Sequence, residues 1–305
     1  MRLSVQGLLP VFLFLSPLVS VAQSAKVSSV EKVANGIWMA QTAASSTASW
    51  FLVGDEVVAV DAGGDAETGK ALLAKIQETA GKPVRYLIVT HAHGDHGGGA
   101  GPFAAAGAEV ICHENGAPGL APIVAQSGKA KAGLLAFSER IALFGGTRRV
   151  AIYFLGPAHS ASDIFVLLPD DKVFFSGDVA LGKRAPYMQS PDVDPRGWEN
   201  ILTRLSQLDV EKVVPGHGTL ANKQAITDTL AYVKLVNGLA GMLVTEKTSE
   251  NLIEARLRRP DSGLGGAVIT PEFLANIRAA MRAESQKPAP TPAAAQKKPP
   301  AGKKG

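Results

Sequence analysis

Seven side chains with metal-binding chemistry lie in four short motifs of this 305-residue chain, each close to glycine or proline. They are His91, His93, Asp95, His96, His159, Asp178 and His217. Imidazole and carboxylate are the usual protein ligands of zinc and of similar divalent ions. Five of the six histidines of the chain belong to this set. The clustering therefore predicts a metal centre.

The first motif, His91-x-His93-x-Asp95-His96, has a spacing that can serve two ions. Residues two apart on an extended segment point the same way, so His91 and His93 can share one ion. Asp95 and His96 are adjacent, and a turn permitted by Gly94 would direct them to a second ion.

The three isolated residues complete the predicted centre. His159 and His217 would supply one nitrogen to each ion. The Asp178 carboxylate has two oxygens and can bridge both ions, which a neutral imidazole cannot do. Two ions ~3.5–4 Å apart would then share a hydroxide.

Such a centre performs hydrolysis without an activated serine or cysteine. A bound divalent ion lowers the pKa of its water from ~16 to ~7 and polarises a carbonyl or phosphoryl oxygen. Asp95 could also orient the hydroxide or pass a proton to the leaving group, a catalytic role that the sequence does not separate from ligation. The net charge of the centre, about +1, favours a small-molecule substrate with an anionic group.

Residues near these motifs have weaker assignments. Asp61, which ends the run VVAVD, either orients a metal ligand or makes a turn. His113 fits no ligand pattern and is expected at the surface or just behind the ligands. Cys112 is the sole cysteine and is expected to be a small buried hydrophobe.

The segment that follows Asp178 is expected to line the mouth of a pocket, through Lys183, Arg184, Tyr187 and Met188. Arg184 could hold a substrate carboxylate. The alternative is that these charges are solvated on a surface loop.

The elements that must position these residues alternate between strand and helix in two halves of the chain. RYLIVT is an apolar strand that ends just before His91, and KVVPGHG is one that ends at His217. Helices are predicted at about Glu67 to Thr79, across GWENILTRLSQLD, at Ala221 to Leu243 and from the capping residue Thr270. The alternation predicts two packed sheets flanked by helices, an α/β (α+β) fold.

The two ends of the chain differ in composition from the domain between them. Residues 1–22 have a positive start at Arg2, an apolar stretch from Leu8 to Val19 and a small-x-small cleavage site ending at Ala22. This pattern predicts a signal peptide and a periplasmic or secreted protein. Pro10, Pro17 and the short apolar run disfavour the alternative of a membrane anchor.

Residues 286–305 contain five lysines and no acid among proline and alanine, which predicts a disordered tail after a domain at 23–285. Without these lysines and Arg2, the net charge of +4 becomes −2. Nucleic acid is therefore not an expected partner. We expect no transmembrane domain after signal cleavage, and the sequence leaves the oligomeric state open.

From about Val27 to Leu220 the chain resembles the metallo-β-lactamase-fold hydrolase superfamily. The resemblance rests on VDAG, THAHGDH, GPAHSASD, SGD and PGHG, which occur in the family's order. It implies a four-layer αββα sandwich with a dinuclear site at one edge, between the sheets. One departure is Ser162, which stands where the family's GHTxGD motif has glycine.

The resemblance also implies how the ligands divide. His91, His93 and His159 would hold one metal, Asp95, His96 and His217 would hold the other, and Asp178 would bridge them. The two divalent ions are expected to be zinc, with iron and manganese as alternatives.

The substrate is the least determined property. The resemblance implies a hydrolase that acts on an ester, thioester or lactone/lactam carbonyl. β-Lactamases proper commonly have Cys or Ser where Asp178 stands, so Asp178 favours the general hydrolases, and the segment from Gly177 to Gly218 is loosely similar to exported hydrolases associated with quinoprotein systems. The alternatives are a β-lactamase, including a promiscuous one, and an iron-dependent sulfur dioxygenase.

Overall fold

A computed structural model describes residues 26–128, 133–146 and 148–286. The predicted signal peptide and the tail beyond Gln286 lie outside the described residues. In the described part of the chain, no helix combines the length and the apolar character that crossing a bilayer would require.

Two sheets form the centre of the fold. The seven-stranded sheet follows chain order: β1 (Val27–Ala34), β2 (Ile37–Thr42), β3 (Thr47–Val53), β4 (Glu56–Val60), β5 (Val84–Ile88), β6 (Glu109–His113) and β7 (Leu134–Phe137). Its first four strands are antiparallel, whereas β4 to β7 are parallel.

The second sheet has five strands in the spatial order β12-β11-β10-β9-β8. They are β8 (Arg140–Gly145), β9 (Arg148–Phe154), β10 (Ile164–Leu168), β11 (Val173–Gly177) and β12 (Lys212–Pro215). The pair β11–β12 is parallel and the other pairs are antiparallel.

The described helices lie between and after these strands. They are α1 (Ala66–Ala80), α2 (Gly94–Gly97), α3 (Ala100–Ala106), α4 (Ala117–Ala125), α5 (Pro195–Leu205), α6 (Gln224–Thr245), α7 (Ile253–Leu257) and α8 (Pro271–Ser285). The helices predicted in these regions are confirmed to within a few residues. Their starts follow local chemistry, since the side chain of Asp65 accepts a hydrogen bond from Thr68 N and that of Thr270 from Phe273 N.

Alternation along the strands produces three apolar cores and hence four layers. In β3, Trp50 packs with the helices α1 and α3 on the outer face, while Phe51 packs between the sheets. In β11, Phe174 packs with α5, α6 and α8, while Phe175 contacts the inner core. The predicted αββα sandwich is confirmed.

Candidate metal centre

The seven predicted residues converge at one edge of the sandwich, where several strands end. The parallel pairs β4–β5 and β11–β12 place their carboxyl ends at this edge. The segment after β5 begins at Val89 and leads directly into the histidine motif, and Asp178 and His217 follow β11 and β12. His159 lies in the connection between β9 and β10.

A single helical turn, α2, separates the members of the first motif. His93 has extended backbone angles and precedes the turn, and Asp95 and His96 lie within it. The predicted turn is present, but it does not require a glycine, because it is right-handed helix and a Cβ on Gly94 would meet no atom within 4 Å. The helical turn itself redirects the chain.

Three groups of these side chains have ligand atoms within 4.8 Å of one another. The groups are His91, His93 and His159; Asp95, His96 and His217; and His91, His96 and Asp178. Each of the seven predicted residues therefore lies in at least one group that could hold an ion. The first two groups are the same sets that the family resemblance implies.

Asp178 stands between the two sets of histidines. Its Oδ2 lies 3.5 Å from His159 Nε2 and 3.4 Å from His217 Nε2. Its Oδ1 lies 3.4 Å from His96 Nε2. Gly216 is required here, because a Cβ at that position would lie 2.1 Å from Asp178 Oδ1.

Hydrogen bonds from the inner side of the fold orient His91 and His96. Asp61 Oδ2 contacts His96 Nδ1 at 2.9 Å, and Asp61 Oδ1 accepts the Thr90 backbone N–H at 2.8 Å. Thr90 Oγ1 lies 3.1 Å from His91 Nδ1. Asp61 is buried and has a φ of 61°, so it combines the two predicted alternatives: it orients a histidine and it turns the chain.

Main-chain carbonyls perform the same function for the two isolated histidines. His159 Nδ1 donates to the Tyr187 carbonyl oxygen at 3.1 Å, and His217 Nδ1 donates to the Ser45 carbonyl oxygen at 2.9 Å. A proton fixed on Nδ1 leaves Nε2 of each ring free to bind an ion.

His93 is the exception, since its Nδ1 faces the cluster, 3.0 Å from His159 Nε2. Its Nε2 hydrogen-bonds Ser190 Oγ at 3.2 Å, and that hydroxyl donates to Asp192 Oδ1 at 2.6 Å. The backbone N–H of Ala161 in turn donates to Asp192 Oδ2 at 3.0 Å. Ser190 and Asp192 were not predicted, because Ser-Pro-Asp is an ordinary turn sequence with no metal signature.

Two buried atoms test whether these residues fit a metal ion. Within the described residues, His91 Nε2 and Asp178 Oδ1 have no hydrogen-bond partner, although each is shielded from water. Buried polar atoms without a partner are costly, and both belong to ligand types that divalent ions accept. The residues therefore fit a divalent metal ion.

Ionisation of the cluster points the same way. Burial, followed by repulsion from the neighbouring histidines, lowers the pKa of His91 well below its ordinary value. For His159, burial outweighs the attraction of Asp178 and lowers the pKa to about 4. Both rings are therefore neutral, which is the metal-binding form. Burial opposes protonation of His96 as well, but Asp178, Asp61 and a third carboxylate raise its pKa to about 10. An ion at this position would replace that proton.

A cavity of about 310 Å³ opens over the cluster. Its lining is His93, Asp95, His159, Asp178, Leu181, Arg184, Ala185, Tyr187 and His217. Arg184 and Tyr187 thus lie at the mouth as predicted, whereas Lys183 lines an adjoining space. The prediction for Met188 is wrong, because its side chain is fully buried in the core with α5, α6 and α8.

The neighbouring residues His113 and Cys112 take no part in the cluster. The His113 ring is buried and stacked on Phe154, with Nε2 3.2 Å from the Ser138 carbonyl oxygen, so the expectation of a position at the surface or behind the ligands is wrong. Cys112 is buried as predicted, and burial raises the pKa of its thiol to about 11.

Comparison with known proteins gives one consistent result. The family described as "Metallo-beta-lactamase superfamily" matches residues 43–217, which is more than half of the chain. A relative from Bacillus sp. (strain 170), "Metallo-beta-lactamase type 2", is 26% identical over 58% of this chain and 68% of its own length. A "Beta-lactamase-like protein 2 homolog" from Caenorhabditis elegans is 24% identical over 50% of this chain and 48% of its own.

Solved structures agree in fold. A metallo-beta-lactamase from Pontibacter korlensis has a TM-score of 0.59 and 24% identity, covering 68% of this chain and 98% of that one. The metallo-beta-lactamase FIM-1 from Pseudomonas aeruginosa, in its mono-zinc form, has a TM-score of 0.55 and 20% identity, covering 70% and 97%.

Proposed function

This chain belongs to the metallo-beta-lactamase superfamily, and we propose that it is an exported dinuclear hydrolase of an ester, thioester or lactone/lactam carbonyl. Its class is that of its family, a metal-dependent hydrolase acting on a small molecule. The finer statement, with two ions and this group of substrates, is the proposal.

One observation carries it. His91 Nε2 and Asp178 Oδ1 are buried without a hydrogen-bond partner among the described residues, in a cluster where the outer nitrogens of the histidines are already hydrogen-bonded. A folded protein rarely leaves such atoms unsatisfied unless a ligand completes them. The seven side chains offer more donors than one tetrahedral ion uses, which supports two ions.

Each residue has a proposed part. His91, His93 and His159 would hold one ion, Asp95, His96 and His217 would hold the other, and Asp178 would serve both. When bound, the ions supply a water that ionises near neutral pH and polarise the substrate carbonyl.

The two carboxylates differ in access to the substrate. The Asp178 side chain is 8% exposed, whereas that of Asp95 is 39% exposed and faces the cavity. Asp95 Oδ2 lies 3.0 Å from His217 Nε2, which holds the carboxylate in place. The exposure of Asp95 supports a proposed role in passing a proton to the leaving group, and the position of Arg184 in the cavity lining supports a proposed role in holding an anionic group of the substrate.

Zinc is the proposed metal, supported by the histidine-rich donor set and by the zinc form of the structural relative FIM-1. Iron and manganese accept the same ligands. Elemental analysis of protein purified from its native compartment tests both the identity of the metal and the number of ions per chain. One ion per chain at saturation would contradict the dinuclear centre.

Export is proposed from residues 1–22 alone. Mass spectrometry of the mature N-terminus, in cells that export the chain, tests it. A start near Gln23 supports cleavage, and an intact Met1 contradicts it.

The activity itself is tested by a substrate panel run on apo and metal-loaded protein. We expect metal-dependent turnover of at least one ester, thioester or lactone, removed by chelator and restored by metal. Inertness of the loaded protein across all of these classes would refute the proposal.

β-Lactamase activity is the second candidate, because two Bacillus relatives carry that name. Chelator-sensitive hydrolysis of nitrocefin at a rate above that of the best ester would favour it. An oxygen electrode with a persulfide substrate examines the remaining alternative, a sulfur dioxygenase; oxygen uptake by the iron-loaded protein would favour that reaction.

A further inference from the structure

A groove adjoins the metal cavity and is built from the loops that leave two candidate ligands. One wall is residues 181–184, which follow Asp178, and the other is residues 218–222, which follow His217. The groove has a volume of about 750 Å³, compared with about 310 Å³ for the metal cavity. Leu181 and Arg184 line both spaces, so they form the boundary between them.

The two walls pack against each other at small residues. Gly182 has a φ of 63° and Gly218 a φ of 100°. These left-handed backbone angles let the two loops turn back beside Asp178 and His217, respectively. A Cβ on Gly182 would lie 3.6 Å from Ala221 Cβ and 3.7 Å from Ala225 Cβ. Together with the buried Leu181, these alanines give the groove an apolar floor.

The charged groups of the groove differ in whether they already have a partner. Glu211 lies 3.6 Å from the ammonium of Lys172. Asp228 accepts a hydrogen bond from the Gln224 side chain, and Lys212 donates one to a main-chain carbonyl. Within the described residues, the side chains of Lys183 and Arg184 have no such partner. The charged side chains of the groove that have no partner of their own among the described residues are therefore both cationic.

We infer that this groove binds the non-reacting part of the substrate and selects an elongated molecule that ends in an anionic group. The inference rests on the proposed hydrolase function and names the substrate class of that same site. The scissile bond lies at the metal cluster, and the apolar body of the substrate covers Leu181 and Ala225. A carboxylate or phosphate meets Lys183 and Arg184, where charge-assisted hydrogen bonds are available.

The test compares esters that differ only in length and terminal charge. They are 4-nitrophenyl acetate, 4-nitrophenyl hexanoate, mono-4-nitrophenyl adipate and its terminal phosphonate analogue. We expect kcat/KM for the adipate ester to exceed that for the neutral hexanoate by about tenfold, the size of two partly exposed charge contacts. The phosphonate arm shows which anion the groove prefers.

Two variants separate charge from shape. K183M combined with R184M should remove the preference for a terminal charge, so that kcat/KM for the anionic esters falls about tenfold relative to kcat/KM for the hexanoate. Thr219→Trp fills the groove from an exposed position and should lower turnover of all three long esters relative to turnover of the acetate. Lys234→Met is the matched control, since Lys234 is exposed on α6 and lines neither space.

The outcomes are distinct. Equal kcat/KM for adipate and hexanoate esters, or no response to either variant, would overturn the groove as a substrate site while metal-dependent acetate turnover upholds the hydrolase. If no ester is turned over, calorimetric binding of the non-hydrolysable adipate mono-anilide still decides. Loss of its affinity in the K183M/R184M double variant would uphold the groove and refute only the reaction, and unchanged affinity would refute the groove.

Discussion

The two edges of the sandwich use charged side chains in opposite ways. At the metal edge, buried His91 Nε2 and Asp178 Oδ1 have no hydrogen-bond partner within the described residues. At the other edge, where β9 begins, Arg148 donates to both carboxylate oxygens of Asp171 at 2.8 Å and to the Leu52 carbonyl at 2.6 Å. Arg148 also donates to the Asn35 carbonyl, so it joins the second sheet to the first.

The difference separates a site built for a ligand from a contact built for stability. Arg148 satisfies its own donors within the protein, so nothing is left for a ligand to complete. The metal edge leaves its ligand atoms facing one another, which costs free energy until an ion binds. In this fold, the functional site is therefore the edge at which buried polar atoms lack hydrogen-bond partners within the protein.

The largest expected effect breaks the metal edge. Asp178→Asn should lower kcat/KM by more than about 10³-fold. Residues that act together as one catalytic unit are non-additive, so the loss of one can cost nearly as much as the loss of all. The metal-free melting temperature of the variant should fall only modestly, because the charge of Asp178 favours the protonated His96 ring but the hydrogen bond between Asp61 and that ring remains. Steady-state kinetics and metal-free thermal unfolding check both. A large loss of metal-free stability would instead give Asp178 a structural role.

Arg148→Met should do the reverse. Breaking a mostly buried bidentate ion pair is expected to cost about 3 kcal/mol of unfolding free energy while the specific activity of folded, metal-loaded protein stays the same. Urea unfolding measures the loss. Arg149→Met is the control, because its ion pair with Asp170 is exposed and should contribute little. Equal losses in the two variants would remove the contrast between the edges.

A smaller effect is expected behind the ligands. Ser190→Ala removes the hydrogen bond to His93 Nε2 and should weaken metal binding about 10-fold, the lower end for such outer partners. Competition with a chromophoric chelator measures the affinity directly. Thr203→Ala, which removes an exposed hydroxyl on α5, is the matched control. Unchanged affinity in S190A would show that the His93 ring is held by packing alone.

The smallest effect is a pH dependence at the metal edge. Asp163 accepts hydrogen bonds from the backbone N–H groups on both sides of His159, at Ala158 and Ser160, and burial raises its pKa to about 7. A raised carboxyl pKa means that the folded state binds more protons than the unfolded state between pH 4 and 7. The protonation of Asp163 therefore contributes to the free energy of unfolding at low pH, and this stabilising contribution is lost as pH rises through 7.

Asp163→Asn should remove that contribution, so the metal-free variant should lose less stability than the wild type between pH 5 and 8. Urea unfolding at the two pH values measures the difference. If the unfolding free energy changes with pH to the same extent in the wild type and the variant, the titrating group is not Asp163.

Local features of the fold were predictable because they depend on neighbours in sequence. Thr270 caps α8 as expected, by accepting a hydrogen bond from Phe273 N three residues later. The prediction that Met188 lines the pocket mouth was wrong because its neighbours in sequence are charged, which favours an exposed position. Its burial depends on α8, where the Asn276 side chain accepts a hydrogen bond from Met188 N.

The sequence by itself determined which side chains could serve as metal ligands, because imidazole and carboxylate chemistry and short spacings are local properties, while their division into two sets followed from the family resemblance. Only the tertiary structure decided what lies behind them. Asp61 is 35 residues from His96, and Ser45 is 172 residues from His217, yet each orients its histidine. Such pairings depend on how the two sheets pack, as does the groove formed where the loops after Asp178 and His217 meet.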